Sequence, residues 1–196
     1  MFNISLFVTH MFDTKHIEDD IWTVSKKFKM DLYDFFKEKL SDVHTIAEIG
    51  AHKGYCTKTL SKIFDRVIAV DYDISMLNFN KQYNKDSNNI EYVLLDLYRD
   101  SWNAIPADVD VSFIDAVHEY EHCKSDVINS LRRFPKLKYI VFDDYGVFVG
   151  VKKIVDELIH HKILQFETYI GDTDVLAANG IVRNTHEGVI CSVNRH

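Results

Sequence analysis

Glycine and proline are scarce in this 196-residue chain, at seven and two residues. That excludes collagen-like repeats and flexible low-complexity linkers. Its three cysteines, Cys56, Cys123 and Cys191, are widely spaced and form no CxxC pair. An odd, scattered set argues against a disulfide framework and against a thiolate zinc site, and fits reduced thiols. No run of about 18 apolar residues occurs, so no membrane span is expected. Positive charge is not in excess: 23 Lys+Arg face 30 Asp+Glu, a formal charge of −7. Nucleic acid is therefore not an expected partner, because gripping phosphates takes a surplus of Lys and Arg. The opening MFNISLFVTHMF has neither the basic leader nor the small-residue cleavage site of a signal peptide, so the expected location is cytoplasmic.

What is present is ordinary globular composition, 46% hydrophobic and 27% charged, enough for one domain with a real core. Ile17, Ile21, Val24, Phe28, Leu32, Phe35 and Leu40 recur near the helical period, predicting a helix over 15–42. Short runs rich in Val, Ile, Leu, Phe and Tyr follow at Thr45–Ile49, Arg66–Val70, Glu91–Leu95, Val109–Ile114 and Tyr139–Phe142. They read as strands covered on both faces. Helical stretches separate them at Lys53–Phe64, Ser75–Tyr83 and Glu119–Phe134. A further helix carries Val151, Ile154, Val155, Leu158 and Ile159 at i, i+3, i+4, i+7, i+8. Two more strands, Gln165–Ile170 and Gly188–Val193, have no clear helix between them and predict an antiparallel pair at one edge. The alternation implies a mostly parallel α/β sheet with ligands at the C-terminal strand ends.

Those ends are acidic. The first strand closes in Glu48-Ile-Gly50-Ala51-His-Lys-Gly54, where glycine permits a sharp turn and a close ligand approach, or only a plain strand–helix turn. Asp71, followed by Tyr72, ends the second and fits either a ribose acceptor or a helix N-cap. Asp96, followed by Leu97, ends the third; Asp115 ends the fourth; Asp143-Asp144 ends the fifth. Any one of these acids is readily a cap, and the Asp143-Asp144 pair alone reads as a solvated turn. Five on one sheet edge are hard to read as capping alone. His118 has three readings: pocket lining, a base, or a cap of the helix that follows.

This set, Glu48-x-Gly50-x-x-x-Gly54, Asp71 and Asp96, resembles the cofactor site of class I S-adenosylmethionine-dependent methyltransferases. The segments Ile114-Asp115-Ala-Val-His118-Glu-Tyr120-Glu, Phe142-Asp143-Asp144-Tyr145 and Gly150–Leu158 are similar to the branch of metal-dependent small-molecule O-methyltransferases, sugar O-methyltransferases among them. The resemblance covers residues 45–160. It implies a Rossmann-like seven-stranded sheet, mostly parallel, with helices on both faces and an antiparallel C-terminal strand. It implies S-adenosylmethionine at Glu48, Gly50, Ala51, Gly54, Asp71, Tyr72, Asp96, Leu97 and Asp115. It also implies one divalent cation, Mg²⁺ or Mn²⁺, on Asp115, Asp143 and Asp144, with Asp115 and His118 as catalytic groups. Residues 1–44 become a helical extension or acceptor lid and 45–196 the cofactor-binding domain. The acceptor implied is a sugar hydroxyl, with a catechol-type phenol second. Phe12, Trp22, Tyr145 and Phe148 are candidates for an apolar acceptor platform, and the aromatic N-terminal helix for pairing two subunits.

Two other readings stand beside it. His118-Glu119-Tyr120-Glu121-His122 matches the H-E-x-x-H zinc-peptidase pattern, which needs both histidines on one helix face. A nucleoside-binding module without catalysis would share the early motif.

Overall fold

The structure, a computed structural model, describes residues 23–174 and 185–195. Seven strands form one sheet: β1 (Thr45–Ile49), β2 (Arg66–Asp71), β3 (Ile90–Leu94), β4 (Val111–Ile114), β5 (Tyr139–Phe142), β6 (Leu164–Thr173) and β7 (His186–Val193). Their order is β3-β2-β1-β4-β5-β7-β6. The first five run parallel, and β7 lies antiparallel between β5 and β6. The expected sheet is present, with β6 at its outer edge. Because β1 pairs with both β2 and β4, the order reverses there, and the crevice above that point is where such sheets bind ligands.

Among the described residues, five α-helices flank the sheet: α1 (Lys26–Phe36), α2 (Tyr55–Ile63), α3 (Ile74–Tyr83), α4 (Tyr120–Arg133) and α5 (Val149–His160). Strand residues alternate between two cores, as the two-residue period of an extended chain requires. Ile46, Val67, Phe113, Val141 and Ile190 face α1 and α2. Ala47, Ile68, Ile114, Phe142 and Val189 face α4 and α5.

The first helix is shorter than the periodicity predicts. Ser25 caps it, accepting from the Phe28 amide, and past Phe36 the chain turns through Lys39 N–H to Phe36 O and Val43 N–H to Lys39 O. Ile17, Ile21 and the rest of that expectation before residue 23 lie outside the described residues. The described part joins the main core. Phe28 is fully buried against Phe113, at 5.8 Å between ring centroids, and against Gly188. α1 is also tied down by polar contacts. Glu187 of β7 accepts from the Ser25 amide (2.7 Å) and hydroxyl (2.5 Å), and Asp31 accepts from the Gly171 amide (2.9 Å). Any lid formed by residues 1–22 lies outside the described residues.

Other boundaries move for local reasons. The fourth strand starts at Val111 because Asp110 turns its carboxylate back to accept from the His44 and Thr45 amides. The second helix starts at Tyr55 because Gly54 is left-handed, with φ +82°. No helix among the described residues is long and apolar enough to cross a membrane.

Candidate active site

The C-terminal ends of β1, β2 and β4 and the loop after β3 enclose a cleft of about 590 Å³. Six of the residues expected there line it: Gly50, Asp71, Tyr72, Asp96, Leu97 and Asp115. Gly50 sits at φ +97°, and a Cβ on it would come within 2.3 Å of the Asp115 carbonyl oxygen. The β1–α2 turn therefore lies flush against the end of β4. Asp71 is held by two backbone amides, His52 N–H (2.8 Å) and Asp73 N–H (2.9 Å). A carboxylate has about four acceptor positions, so two remain for a ligand.

Glu48, Ala51 and Gly54 do not line the cleft; they build the floor behind it. Glu48 is buried and accepts from the Thr57 hydroxyl at 2.5 Å. Burial raises its pKa to about 8 against the opposing pull of that bond. Ala51 donates its amide to Val70 O, and Gly54 caps α2.

Sequence reasoning missed several lining residues: His52, Asp73, Met76, Tyr98, Ala116 and Val117. Tyr98 follows the strand-end acid by two, and its amide donates to Asp96 (3.0 Å). Its hydroxyl donates to the buried Asp126 at 3.1 Å, which fixes the ring as a wall of the cleft. An aromatic residue this close behind a strand-end acid was the available signal. Met76 had none, because nothing in the pattern of α3 marks which face meets the cleft.

The second half of the site centres on Asp115, His118 and Asp144, which bring two carboxylate oxygens and an imidazole nitrogen within 4.8 Å of one another. His118 Nε2 lies 2.8 Å from Asp144 Oδ2 and 3.6 Å from Asp115 Oδ1. The imidazole is thus held between the two carboxylates in ion-pair contact. Phe148 stacks on the imidazole, 4.4 Å between centroids and 11° between planes. Burial alone would lower the His118 pKa, but the two carboxylates override it and carry it up to about 10. Burial raises Asp115, and His118 partly offsets that.

Two of the three carboxylates expected to converge do so, and His118 takes the third place. Asp143 is not one of the three groups that meet, although the charges of Asp115 and Asp144 reach it. It is buried, its Oδ1 has no hydrogen-bond partner, and burial with the charges of Asp115 and Asp144 pushes its pKa well up. Asp144 leaves the strand in a left-handed conformation (φ +58°) that swings it toward His118. The triad suits a divalent cation by donor chemistry and spacing. Neighbouring ligands of an octahedral ion, each about 2.1 Å from it, lie about 3 Å apart, close to the His118–Asp144 separation. An imidazole among carboxylates shifts the preference from Mg²⁺ toward Mn²⁺ and other first-row ions.

The structure does not form the zinc-peptidase arrangement. His118 precedes α4, Glu119 is the N-cap, and only His122 is on the helix, where it contacts Glu119 (2.9 Å) and the Tyr98 ring (4.5 Å). The two histidines turn to different neighbours. Of the expected acceptor platform, Phe12 and Trp22 lie outside the described residues. Tyr145 is buried, donating to Asp156 and accepting from Lys152. Phe148 remains beside the site.

Solved structures share this architecture at low sequence identity. An O-methyltransferase from Bacillus cereus, solved with SAH, aligns with TM-score 0.65 at 16% identity, over 90% of this chain and 84% of its own. TomG from Streptomyces achromogenes, an O-methyltransferase of tomaymycin synthesis solved with SAM, gives 0.63 at 14%, over 89% and 82%. An rRNA methylase from Streptococcus thermophilus gives 0.61 at 15%, over 88% and 100%. The fold is the Rossmann-like methyltransferase fold. No protein-family profile and no curated protein sequence matches the chain. The spread of acceptors among these neighbours means that architecture alone selects none of them.

Proposed function

We propose that the chain is an S-adenosylmethionine-dependent O-methyltransferase acting on a small molecule with two neighbouring oxygens, a sugar hydroxyl first and a catechol-type phenol second. The observation that carries this reading is the position of Asp115. It belongs to the wall of the cleft and to the Asp115–His118–Asp144 triad at once.

Methyl transfer breaks a carbon–sulfur bond, makes a carbon–oxygen bond and releases the hydroxyl proton. Bound S-adenosylmethionine supplies the methyl group on a cationic sulfur. A divalent cation at the triad supplies positive charge that favours the ionised hydroxyl. The chain's own residues do the rest. Asp71 offers its two free acceptor positions to a pair of ribose hydroxyls. Leu97 and Tyr98 line the cleft beside Asp96 and offer apolar surface to an adenine ring. Gly50, lacking a Cβ, lets the β1–α2 turn pack on the Asp115 backbone, which sets that turn at the edge of the cleft for the methionine portion. Asp115 is the group placed to accept the hydroxyl proton. His118, carried up to a pKa of about 10 by its two carboxylates, already holds a proton when no cation is bound and serves to hold the acceptor side in place. Orienting the acceptor against Asp115 is the larger part of the work. Phe148 gives the acceptor side an apolar face.

The test is formation of S-adenosylhomocysteine from S-adenosylmethionine across a panel of glycosides and catechols, with and without EDTA. Turnover that needs both acceptor and cation is the expected result. Cofactor binding with no turnover on any acceptor would make the protein a binding module. Turnover indifferent to EDTA would remove the cation from the reading.

A further inference from the structure

Behind the glycine turn lies a chain of buried side chains that the proposed chemistry does not use. Asn84 Nδ2 donates to Asn80 Oδ1 (2.9 Å) and to the Gly54 carbonyl (3.0 Å). Asn80 Nδ2 donates to Thr57 Oγ1 (2.9 Å) and reaches the Ala51 carbonyl at 3.5 Å. Thr57 in turn donates to Glu48 at 2.5 Å. All four side chains are at most 3% exposed. The chain runs in one donor-to-acceptor direction from α3, through α2, to the end of β1. It touches the turn at both ends, at Ala51 and at Gly54. Gly54 rests directly on Asn80, since a Cβ there would fall 2.2 Å from the amide carbon.

The same helix carries a wall of the cleft. Met76, one turn before Asn80, lines it, and only Leu77 and Asn80 are buried along α3. α3 is therefore held by this polar chain as well as by the packing of Phe79 and Tyr83 on Tyr55 of α2. Four buried polar groups are costly unless each finds a partner, and a one-way chain of donors polarises and stiffens itself. An apolar packing of α2 on α3 would hold the helices together equally well. What the amides add is a fixed position for two carbonyls of the turn.

We infer that Asn80 is a positioning residue for the cofactor turn, acting through Thr57 and the Ala51 carbonyl with Asn84 as its brace. This rests on the reading of the cleft as an S-adenosylmethionine site. Asn80→Asp keeps the shape and the acceptor for Asn84 but removes both donations. Thr57→Val keeps the shape and removes the link to Glu48. Thr57→Ser restores the hydroxyl.

The test is calorimetric titration with S-adenosylhomocysteine at a temperature where circular dichroism shows each variant folded. Asn80→Asp and Thr57→Val are each expected to raise Kd at least tenfold, the double variant no more than the worse single one. Thr57→Ser should bind within threefold of the wild type, and KM for the acceptor should stay unchanged in all variants. A merely structural role would lower the melting temperature and leave Kd within twofold, and that result would overturn the inference. Tenfold effects that multiply in the double variant would also overturn it, because the two residues would then act separately. A wild type that fails to bind S-adenosylhomocysteine would bring down the cofactor reading and this inference with it. Normal wild-type binding with unchanged variants sinks this inference alone.

Discussion

Asp126 offers a quantitative test of how the cleft is built. It is fully buried on α4, with Oδ2 accepting from Tyr98 and Oδ1 without a partner. Burial lifts its pKa from 3.8 to about 7, against the Tyr98 bond, which favours the charged form. Between those values the folded state holds a proton that the unfolded chain has lost. Stability therefore falls as pH rises through this window and levels off above about 7. A rise of that size, at about 1.4 kcal/mol for each tenfold change in acidity, amounts to roughly 4 kcal/mol lost by pH 8. Asn at this position keeps the shape and the acceptor for Tyr98 and removes the charge. Its amide hydrogens add an unmet cost of about 1–3 kcal/mol that does not vary with pH. Asp126→Asn should thus be the less stable protein at pH 4 and the more stable one at pH 8. Urea denaturation of both proteins from pH 4 to 8 measures this, and the difference curve cancels every other titrating group. A difference that stays flat, or that favours the variant more at low pH, would refute the reasoning.

Other perturbations test other parts of the molecule. Gly50→Ala forces a Cβ to 2.3 Å from the Asp115 carbonyl oxygen at φ +97°. It should cost roughly 1–3 kcal/mol in denaturant melts and weaken S-adenosylhomocysteine binding in the same samples. Phe28→Ala empties a fully buried site between α1 and the sheet. A loss of about 3–5 kcal/mol is expected, and a loss under about 1 kcal/mol would mean that α1 is not part of the core. Asp144→Asn should abolish turnover and raise the Kd for Mn²⁺ measured by calorimetry, while S-adenosylhomocysteine binds as before. Arg195 donates to the carbonyls of Phe134, Pro135 and Leu137 just past α4. Arg195→Ala should lower the melting temperature with no change in cofactor Kd, which makes it a useful control for destabilisation far from the cleft.

The sheet was readable because parallel strands buried on both faces are written as short apolar runs, and each helix between them shows its own period. The strand-end acids were readable for the same reason, since a residue's place at the end of an apolar run is a place on the sheet edge. What could not be read was direction. Asp143 and Asp144 are adjacent in sequence just past β5, yet only Asp144 is turned by a left-handed backbone. No spacing rule tells which of the two meets Asp115. His118 left three readings open because its role depends on where α4 begins, and Glu119 as N-cap frees it from the helix. Nothing in the sequence marks Asn80 and Asn84, since Asn is poor in helix interiors and common on solvated faces. Only their burial between α2 and α3 reveals them as partners of the turn.

The burial of acids separates what this sheet edge does for folding from what it does for chemistry. Glu48, Asp115, Asp126 and Asp143 all have pKa values raised chiefly by burial. Each therefore subtracts stability at neutral pH rather than adding it. A sheet end selected for stability alone would place apolar or amide side chains there, as replacing buried charge by packed neutral groups often stabilises. Raised acids gathered where β1, β4 and β5 end, with Asp126 behind the cleft wall, are instead what the proposed function requires of a site that must hold positive charge, a sulfonium on one side and a cation on the other. It follows that neutralising variants at this edge should split by role. Asp126→Asn gains stability at pH 8 with activity retained, because Asn still accepts from Tyr98. Asp115→Asn gains stability and loses turnover. If Asp115→Asn kept full turnover, the strain at this edge would have no chemical purpose, and the reading of the site would fall.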